Sequence, residues 1–362
     1  MTKTVLPSAG GTDGHLFPTQ SLAQELTQRG WRVHLATDHR AKRFVDSFPA
    51  DAVHIVASAT FTGKSPIALA KTLFRLARGY VFAWRLLRRV KTDVVVGFGG
   101  YPTVPPLLAA AHSGHPTVLH EQNAVMGRAN RFLSSRISAI ATGFALDRAM
   151  GSGSAPVTVT GNPLRQIAHD AASRAYEAPS ATGQFKLLVF GGSQGTRFFS
   201  QVLPKALAEI EPQLRQRVHL TLQARPEDEA AARAGLEALD VAADVNSFFD
   251  DMPHRISKSH LVICRSGASS VSELALIGVP SILVPLPGAL DDDQGANATH
   301  LEKVGGARLI RQRELTPQKL ADELSRAMNN PDALAKQAEN AKKAGVEDAA
   351  ARLADLVETH AQ

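Results

Sequence analysis

Thr4-Val5-Leu6-Pro7-Ser8-Ala9-Gly10-Gly11-Thr12-Asp13-Gly14-His15 opens the chain, and Lys186-Leu187-Leu188-Val189-Phe190-Gly191-Gly192-Ser193-Gln194-Gly195 follows the same plan later on. Each stretch is a short apolar run, then a glycine-rich turn, then a helical pattern: residues 17–29 in the first case, and from about Arg197 in the second. An apolar run of this length reads as a buried strand, and a glycine turn leading into a helix is the first half of a βαβ unit. The spacing of about 180 residues is too long for a solenoid repeat and suits two domains built alike. A chain of 362 residues also exceeds what one core usually supports.

Working outward, residues 32–36, 94–98 and 116–119 continue the first series of strands, and 219–223, 261–264 and 281–284 the second. Helices are expected after Ser269, Gln294 and Pro317. Alternation of this kind predicts an α/β fold with parallel sheets in two Rossmann-like domains that face a cleft. The boundary is expected near Gly161-Asn162-Pro163, so that residues 1–162 form the first domain and 163–345 the second. A looser stretch, 176–184, precedes the second domain's first strand.

Composition narrows the classes further. Hydrophobic residues make up 44% and charged residues 20%, as in an ordinary globular chain. The single cysteine, Cys264, rules out an internal disulfide and fits a reducing compartment. The first residues lack the apolar stretch of a signal peptide, and no window approaches the roughly 20 apolar residues of a spanning helix. A soluble or peripheral protein is expected.

The net charge of +6 is unevenly placed. Residues 64–91 carry eight lysines and arginines with no acid among them, leaving −2 for the rest of the chain. On a helical wheel Leu69, Leu73, Leu76, Tyr80 and Leu87 form a stripe expected to face the core. Lys71, Arg75, Arg78, Arg85 and Arg89 fall opposite, with Ile67, Phe74, Val81 and Phe82 among or beside them; Gly79 is a possible break. Apolar side chains within a cationic field suit an anionic membrane surface, where each basic residue contributes on the order of 1 kcal/mol. A solvated helix face is the plain alternative. Nucleic acid fits poorly, since stacking aromatics are few and no recognition motif is present.

Several polar residues stand where parallel strands end. Both glycine loops put backbone N–H groups at a helix start, where an anion is welcome, although a tight turn needs no ligand. Neither loop has dinucleotide or Walker spacing. His15 is a candidate general base or a helix-start histidine. His120-Glu121-Gln122-Asn123 is expected to face a ligand crevice. Glu273, in the helix after Arg265-Ser266-Gly267-Ala268, is a candidate ligand for vicinal hydroxyls or part of a helix-capping arrangement. Asp291-Asp292-Asp293 reads as an acidic helix start, not a metal site, and Gln294 and Asn297 share a face suited to sugar hydroxyls.

Together these segments resemble the MurG family, the bacterial UDP-N-acetylglucosamine transferases of peptidoglycan synthesis. The resemblance rests on Gly10-Gly11-Thr12-x-Gly14-His15-x-Phe17-Pro18, Gly97-Phe98-Gly99-Gly100-Tyr101-Pro102, His120-Glu121-Gln122-Asn123 and Gly161-Asn162-Pro163-x-Arg165. It continues through Gly191-Gly192-Ser193-Gln194-Gly195, Cys264-Arg265-Ser266-Gly267-Ala268, Ser272-Glu273, Gln294-x-x-Asn297 and Leu301-Glu302-Lys303, in family order across nearly the whole chain.

The resemblance implies a GT-B fold whose last helix, about 346–358 within a segment 346–362, returns to the first domain. It implies an inverting hexosyltransferase that uses UDP-N-acetylglucosamine and a lipid-linked muramoyl-pentapeptide acceptor, without cofactor or metal. The enzyme would work peripherally at the cytoplasmic face of the inner membrane. Carried over by motif, Glu273 would bind the ribose, Gln294 the sugar hydroxyls, and Ser193 and Arg165 the diphosphate end. Thr12, Asp13, Gly14 and Asn123 would lie near the transferred sugar. Backbone near Phe249 and the turn from Arg265 to Ala268 would meet uracil, and His15 would be the base. Two positions depart from the family pattern: Asp13 replaces a glycine, and Asp293 replaces a glutamine before Gln294. The alternatives are an epimerase acting on UDP-N-acetylglucosamine with the same two-domain plan, and a membrane adaptor that binds the nucleotide sugar without turnover.

Overall fold

The structure, a computed structural model, describes residues 2–10, 13–41, 48–58, 65–146, 155–192, 195–289 and 291–361, without the side chains of residues 13 and 66–68. It divides into two compact units, one of residues 1–165 with 348–362 and one of residues 166–347.

The first unit runs β1 (Thr4–Ser8), α1 (Asp13–Gln28), β2 (Arg32–Thr37), β3 (Ala52–Ile55), α2 (Pro66–Val90), β4 (Val94–Gly97), α3 (Val104–His112), β5 (Thr117–Glu121), α4 (Arg128–Leu133), β6 (Ala139–Thr142) and β7 (Val157–Val159). Its sheet has the order β3-β2-β1-β4-β5-β6-β7, and every pairing is parallel. Alternate residues of the central strands serve opposite faces, as the two-residue period of a strand requires. Val5, Val94 and Val96 pack with Leu22 and Leu26 of α1, whereas Leu6 and Val95 pack with Leu86 and Leu87 of α2 and Leu107 of α3. The order reverses between β1 and β4, and the first glycine loop leaves β1 at that switch point, where doubly wound sheets place ligands.

The second unit runs α5 (Gln166–Ala172), β8 (Phe185–Phe190), α6 (Arg197–Ala208), α7 (Pro212–Arg215), β9 (Val218–Gln223), α8 (Pro226–Glu237), β10 (Ala242–Asn246), α9 (Met252–Ser257), β11 (Leu261–Cys264), α10 (Ala268–Ile277), β12 (Ser281–Leu283), α11 (Asp293–Lys303), β13 (Ala307–Leu309), α12 (Pro317–Asn329) and α13 (Pro331–Lys343). Its parallel order β10-β9-β8-β11-β12-β13 reverses between β8 and β11, again beside the glycine loop.

The last helix, α14 (Ala349–His360), belongs to the first unit. Leu353, Ala354 and Val357 enter its core. Arg29, just after α1, reaches Asp355 (2.6 Å) and Glu358 (2.8 Å), and the Trp31 indole N–H donates to Glu358 (3.0 Å).

Two expectations change. Helix α1 begins at Asp13, four residues before the predicted start, so His15 lies in its first turn. Helix α2 is continuous through Gly79, and that glycine is a contact surface: a Cβ there would clash with the Ala57 carbonyl oxygen. The buried face of α2 therefore runs through Thr72, Gly79, Ala83, Leu86 and Leu87. Gly79 lets the helix backbone approach Ala57, after β3, and Pro105 of α3, and the expected core stripe turns outward at its start, with Leu69 and Leu73 46% and 53% exposed.

Candidate functional site

At the C-terminal ends of β1 and β4, the half-buried His15 ring lies against glycines. A Cβ on Gly99 or Gly100 would stand 3.5 or 3.4 Å from His15 Nε2, and one on Gly10 would stand 3.8 Å from Cδ2. Gly99 and Gly100 also adopt φ of +85° and +76°, which side-chain-bearing residues rarely take. Burial pushes the His15 pKa down to about 4, with Arg40 adding to the effect and Asp38 opposing it. Arg40 and the buried Asp38 form an ion pair at 2.6 Å. Neither was singled out from the sequence, because nothing in the order of residues brings β2's end to α1. Arg165 stacks over Phe17 of α1 at 4.0 Å. Thr12 lies outside the described residues, as does the side chain of Asp13; Gly14 is exposed in the first turn of α1.

The His120–Asn123 segment corrects an expectation. Strand β5 runs through Glu121 between β4 and β6, so His120, Glu121 and Gln122 turn into the protein and only Asn123 is half-buried. His120 Nε2 contacts the Gly161 carbonyl (3.1 Å), and Gln122 donates to the Phe98 carbonyl (2.9 Å). Glu121 acts as a hub. Its carboxylate accepts from Asn123 N (2.9 Å), Gly127 N (2.9 Å) and Asn130 Nδ2 (2.7 Å), fixing the loop after β5. Burial raises its pKa while these donors oppose the rise. Asn130, missed in the sequence, is buried, and its amide borders the same point beside Gly99 that His15 Nε2 approaches.

In the second unit Gly191 packs so tightly that a Cβ would meet Gly195 C and Thr196 N at 2.6 Å. Ser193 lies outside the described residues. Beyond β11, Arg265 is buried and Ser266 Oγ donates to the Gln294 carbonyl (2.8 Å), joining the turn before α10 to the start of α11. Ala268 begins α10 and Glu273 lies half-buried in its second turn. Gln294 Oε1 accepts the Leu286 N–H (2.9 Å). Asn297 departs from the expected role: it is fully buried and donates to the Ser266 carbonyl (3.2 Å), so it holds the turn from inside. Phe249 is buried beneath Arg255 at 4.0 Å.

Asp292 pairs with Arg311 through both carboxylate oxygens (2.6 and 2.7 Å), and Asp293 accepts the Gln294 N–H (2.8 Å). Among the described residues no three His, Cys, Asp or Glu side chains are grouped to hold a metal ion.

Helix α2 presents Lys71, Arg75, Arg78, Arg85 and Arg89 to solvent together with Phe74, Val81 and Phe82. Phe74 is 70% exposed. A depression of about 460 Å³ is lined by Phe74, Ala77, Arg78, Val81, Phe82 and Arg85. The side chain of Ile67 lies outside the description. No described helix is long and apolar enough to cross a membrane.

Residues 5–142 match the glycosyltransferase family 28 N-terminal domain and residues 186–353 its C-terminal domain. The chain is 53% identical over 354 residues, 98% of its length and 93% of the relative's, to a UDP-N-acetylglucosamine--N-acetylmuramyl-(pentapeptide) pyrophosphoryl-undecaprenol N-acetylglucosamine transferase of Brucella abortus (strain S19). It is 53% identical over the same length to the protein of that name in Brucella suis biovar 1 (strain 1330). Among solved structures it resembles Acinetobacter baumannii MurG, with a TM-score of 0.79, 28% identity and 99% of both chains covered. A UDP-N-acetylglucosamine 2-epimerase shares the fold, with a TM-score of 0.68 at 14% identity, over 99% of this chain and 97% of that one. The fold is GT-B, with two parallel-sheet Rossmann-like domains. Through its close relatives and both matching domains, the chain belongs to the MurG family of glycosyltransferases.

Proposed function

We infer that this protein is a UDP-N-acetylglucosamine-dependent glycosyltransferase that transfers N-acetylglucosamine to undecaprenyl-diphospho-N-acetylmuramoyl-pentapeptide. The observation that carries the reading is the 53% identity maintained over nearly the whole length of both chains. The epimerase likeness, at 14% identity, speaks for the fold alone.

The reaction is an inverting displacement. The C4 hydroxyl of the muramoyl sugar bonds to the anomeric carbon, the bond from that carbon to the diphosphate breaks, and the hydroxyl proton passes to a base. His15 is the candidate base, a neutral imidazole at pH 7. UDP leaves with growing negative charge, so donors aimed at it lower the barrier selectively. Ser193 and Arg165 are assigned to that end, Glu273 to the ribose, and Phe249 with the turn at Ala268 to uracil. Thr12, Asp13, Gly14 and Asn123 are assigned to the transferred sugar. For Gln294, the Leu286 N–H fixes the amide oxygen and so directs the nitrogen to a sugar hydroxyl. Asn297 supports that region from within.

Helix α2 is the surface for the membrane that carries the acceptor, at the cytoplasmic face. Its cations supply attraction to anionic headgroups and its exposed Leu69, Leu73, Phe74 and Phe82 supply apolar area.

The test is UDP release from UDP-N-acetylglucosamine with a short-chain lipid-linked muramoyl-pentapeptide, with and without EDTA. Acceptor-dependent release in both conditions is expected. Release that ceases in EDTA would return the metal role to Asp291–Asp293, and no release at all would favour the non-catalytic adaptor.

A further inference from the structure

Arg265 is the one lysine or arginine that is buried among the described residues, at 6% exposure just beyond β11. Its Nη1 donates to the carbonyls of Val284 (3.0 Å) and Pro285 (3.1 Å). Its Nη2 donates to Gln312 Oε1 (2.6 Å) and Thr196 Oγ1 (3.2 Å). Nε is enclosed without a hydrogen-bond partner. Phe198 and Phe199 lie within 5.8 and 5.2 Å of the guanidinium. All four acceptors are neutral, and among the described residues Arg265 forms no ion pair with a carboxylate.

A buried cation satisfied only by neutral oxygens is costly unless a counter-charge arrives. The position of this one indicates where that charge would come from. Thr196 precedes the first turn of α6, a 12-residue helix whose positive end closes the second glycine loop. Val284 and Pro285 begin the segment that leads to Gln294. Burial pulls Arg265 below the ordinary guanidinium pKa, with Cys264 opposing, yet the group remains charged at neutral pH.

We propose that Arg265 is a positioning residue that holds an unneutralised positive charge beside Thr196, at the start of α6, for the diphosphate of the nucleotide sugar. This rests on the nucleotide reading above. The diphosphate supplies the counter-charge that the described residues lack, while the same four hydrogen bonds keep the loops of β8, β12 and β13 in register. Uridine, which carries the base and ribose alone, brings no such charge.

The experiment compares the affinity of the full chain for UDP and for uridine by calorimetry, in wild type, R265Q, R265M and R265K. The expected result is a loss of about tenfold or more in UDP affinity for the two neutral variants. Uridine affinity falls less than UDP affinity in both, so the preference for UDP narrows, and R265K keeps most of that preference. Equal losses for UDP and uridine in all variants would mean a structural arginine and overturn the inference, as would an unchanged UDP preference in R265Q or R265M. A second measurement needs no variant. At constant ionic strength, inorganic pyrophosphate raises the wild-type melting temperature, and no shift at millimolar pyrophosphate overturns the inference. Wild type that bound neither UDP nor uridine would overturn the nucleotide reading itself; equal affinity for the two would overturn only the role of Arg265.

Discussion

His15 shows how one residue's chemistry is set by its surroundings. Three glycines admit the ring and enclose it, and burial brings its pKa down to about 4. Such an imidazole is neutral across pH 5–8 but weakly basic, whereas general-base catalysis favours a pKa near the working pH. For the free enzyme the acid limb of kcat/KM is therefore expected near pH 4, not near 6.5. H15A is expected to lower kcat by about 100-fold or more with UDP binding unchanged. Steady-state rates from pH 4.5 to 8, with UDP affinity measured separately, check both statements. Turnover within threefold of wild type would remove His15 from the role of base.

At the scale of the element, α2 shows that a helix can be docked by its small residues. Gly79 brings the backbone against Ala57 and Pro105, and Thr72, Ala83, Leu86 and Leu87 complete the buried face. The bulky apolar residues at its start are left outside with the cations. Burying one phenylalanine side chain contributes about 2 kcal/mol. The double variant F74S/F82S is therefore expected to reduce binding to anionic vesicles by about tenfold or more. Residual binding should weaken with added salt, since the cations remain. Turnover of a water-soluble acceptor should be unaffected. Co-sedimentation with vesicles provides the measurement, and undiminished binding would mean that this face is simply solvated.

Across the whole molecule, buried histidines link folding to pH. His120 is fully buried, and burial takes its pKa to about 4, with the Gly161 carbonyl opposing and His15 adding. His15 and His54 move in the same direction. The unfolded chain binds these protons near pH 6.5 while the folded chain does not, so the stability they allow is complete above that value and is lost as pH falls toward 4. His120 alone accounts for about 3 kcal/mol of that loss. Glu121, raised by burial, runs in the opposite sense at the acid end. Thermal melts between pH 5 and 6.5 should show stability falling with acid, and H120Q should flatten the slope. A slope unchanged in H120Q would mean that His120 is not buried as a neutral group.

The βαβ alternation, the two glycine loops and the cationic helix were legible in the sequence because each depends on neighbours within one element or one turn. Local periodicity sets a strand or a helix, and a glycine before a helix start marks a tight turn wherever it lies. The family's ordered motifs were legible for the same reason. What each polar residue faces was decided only by tertiary packing. His120 and Glu121 are buried because β5 is a central strand, Asn297 because α11 turns it beneath the Ser266 turn, and Leu69 and Leu73 are exposed because Gly79 sets the rotation of α2. Arg265 gains its unpaired charge from residues 19, 20, 47 and 69 positions away, a separation over which no periodicity carries information.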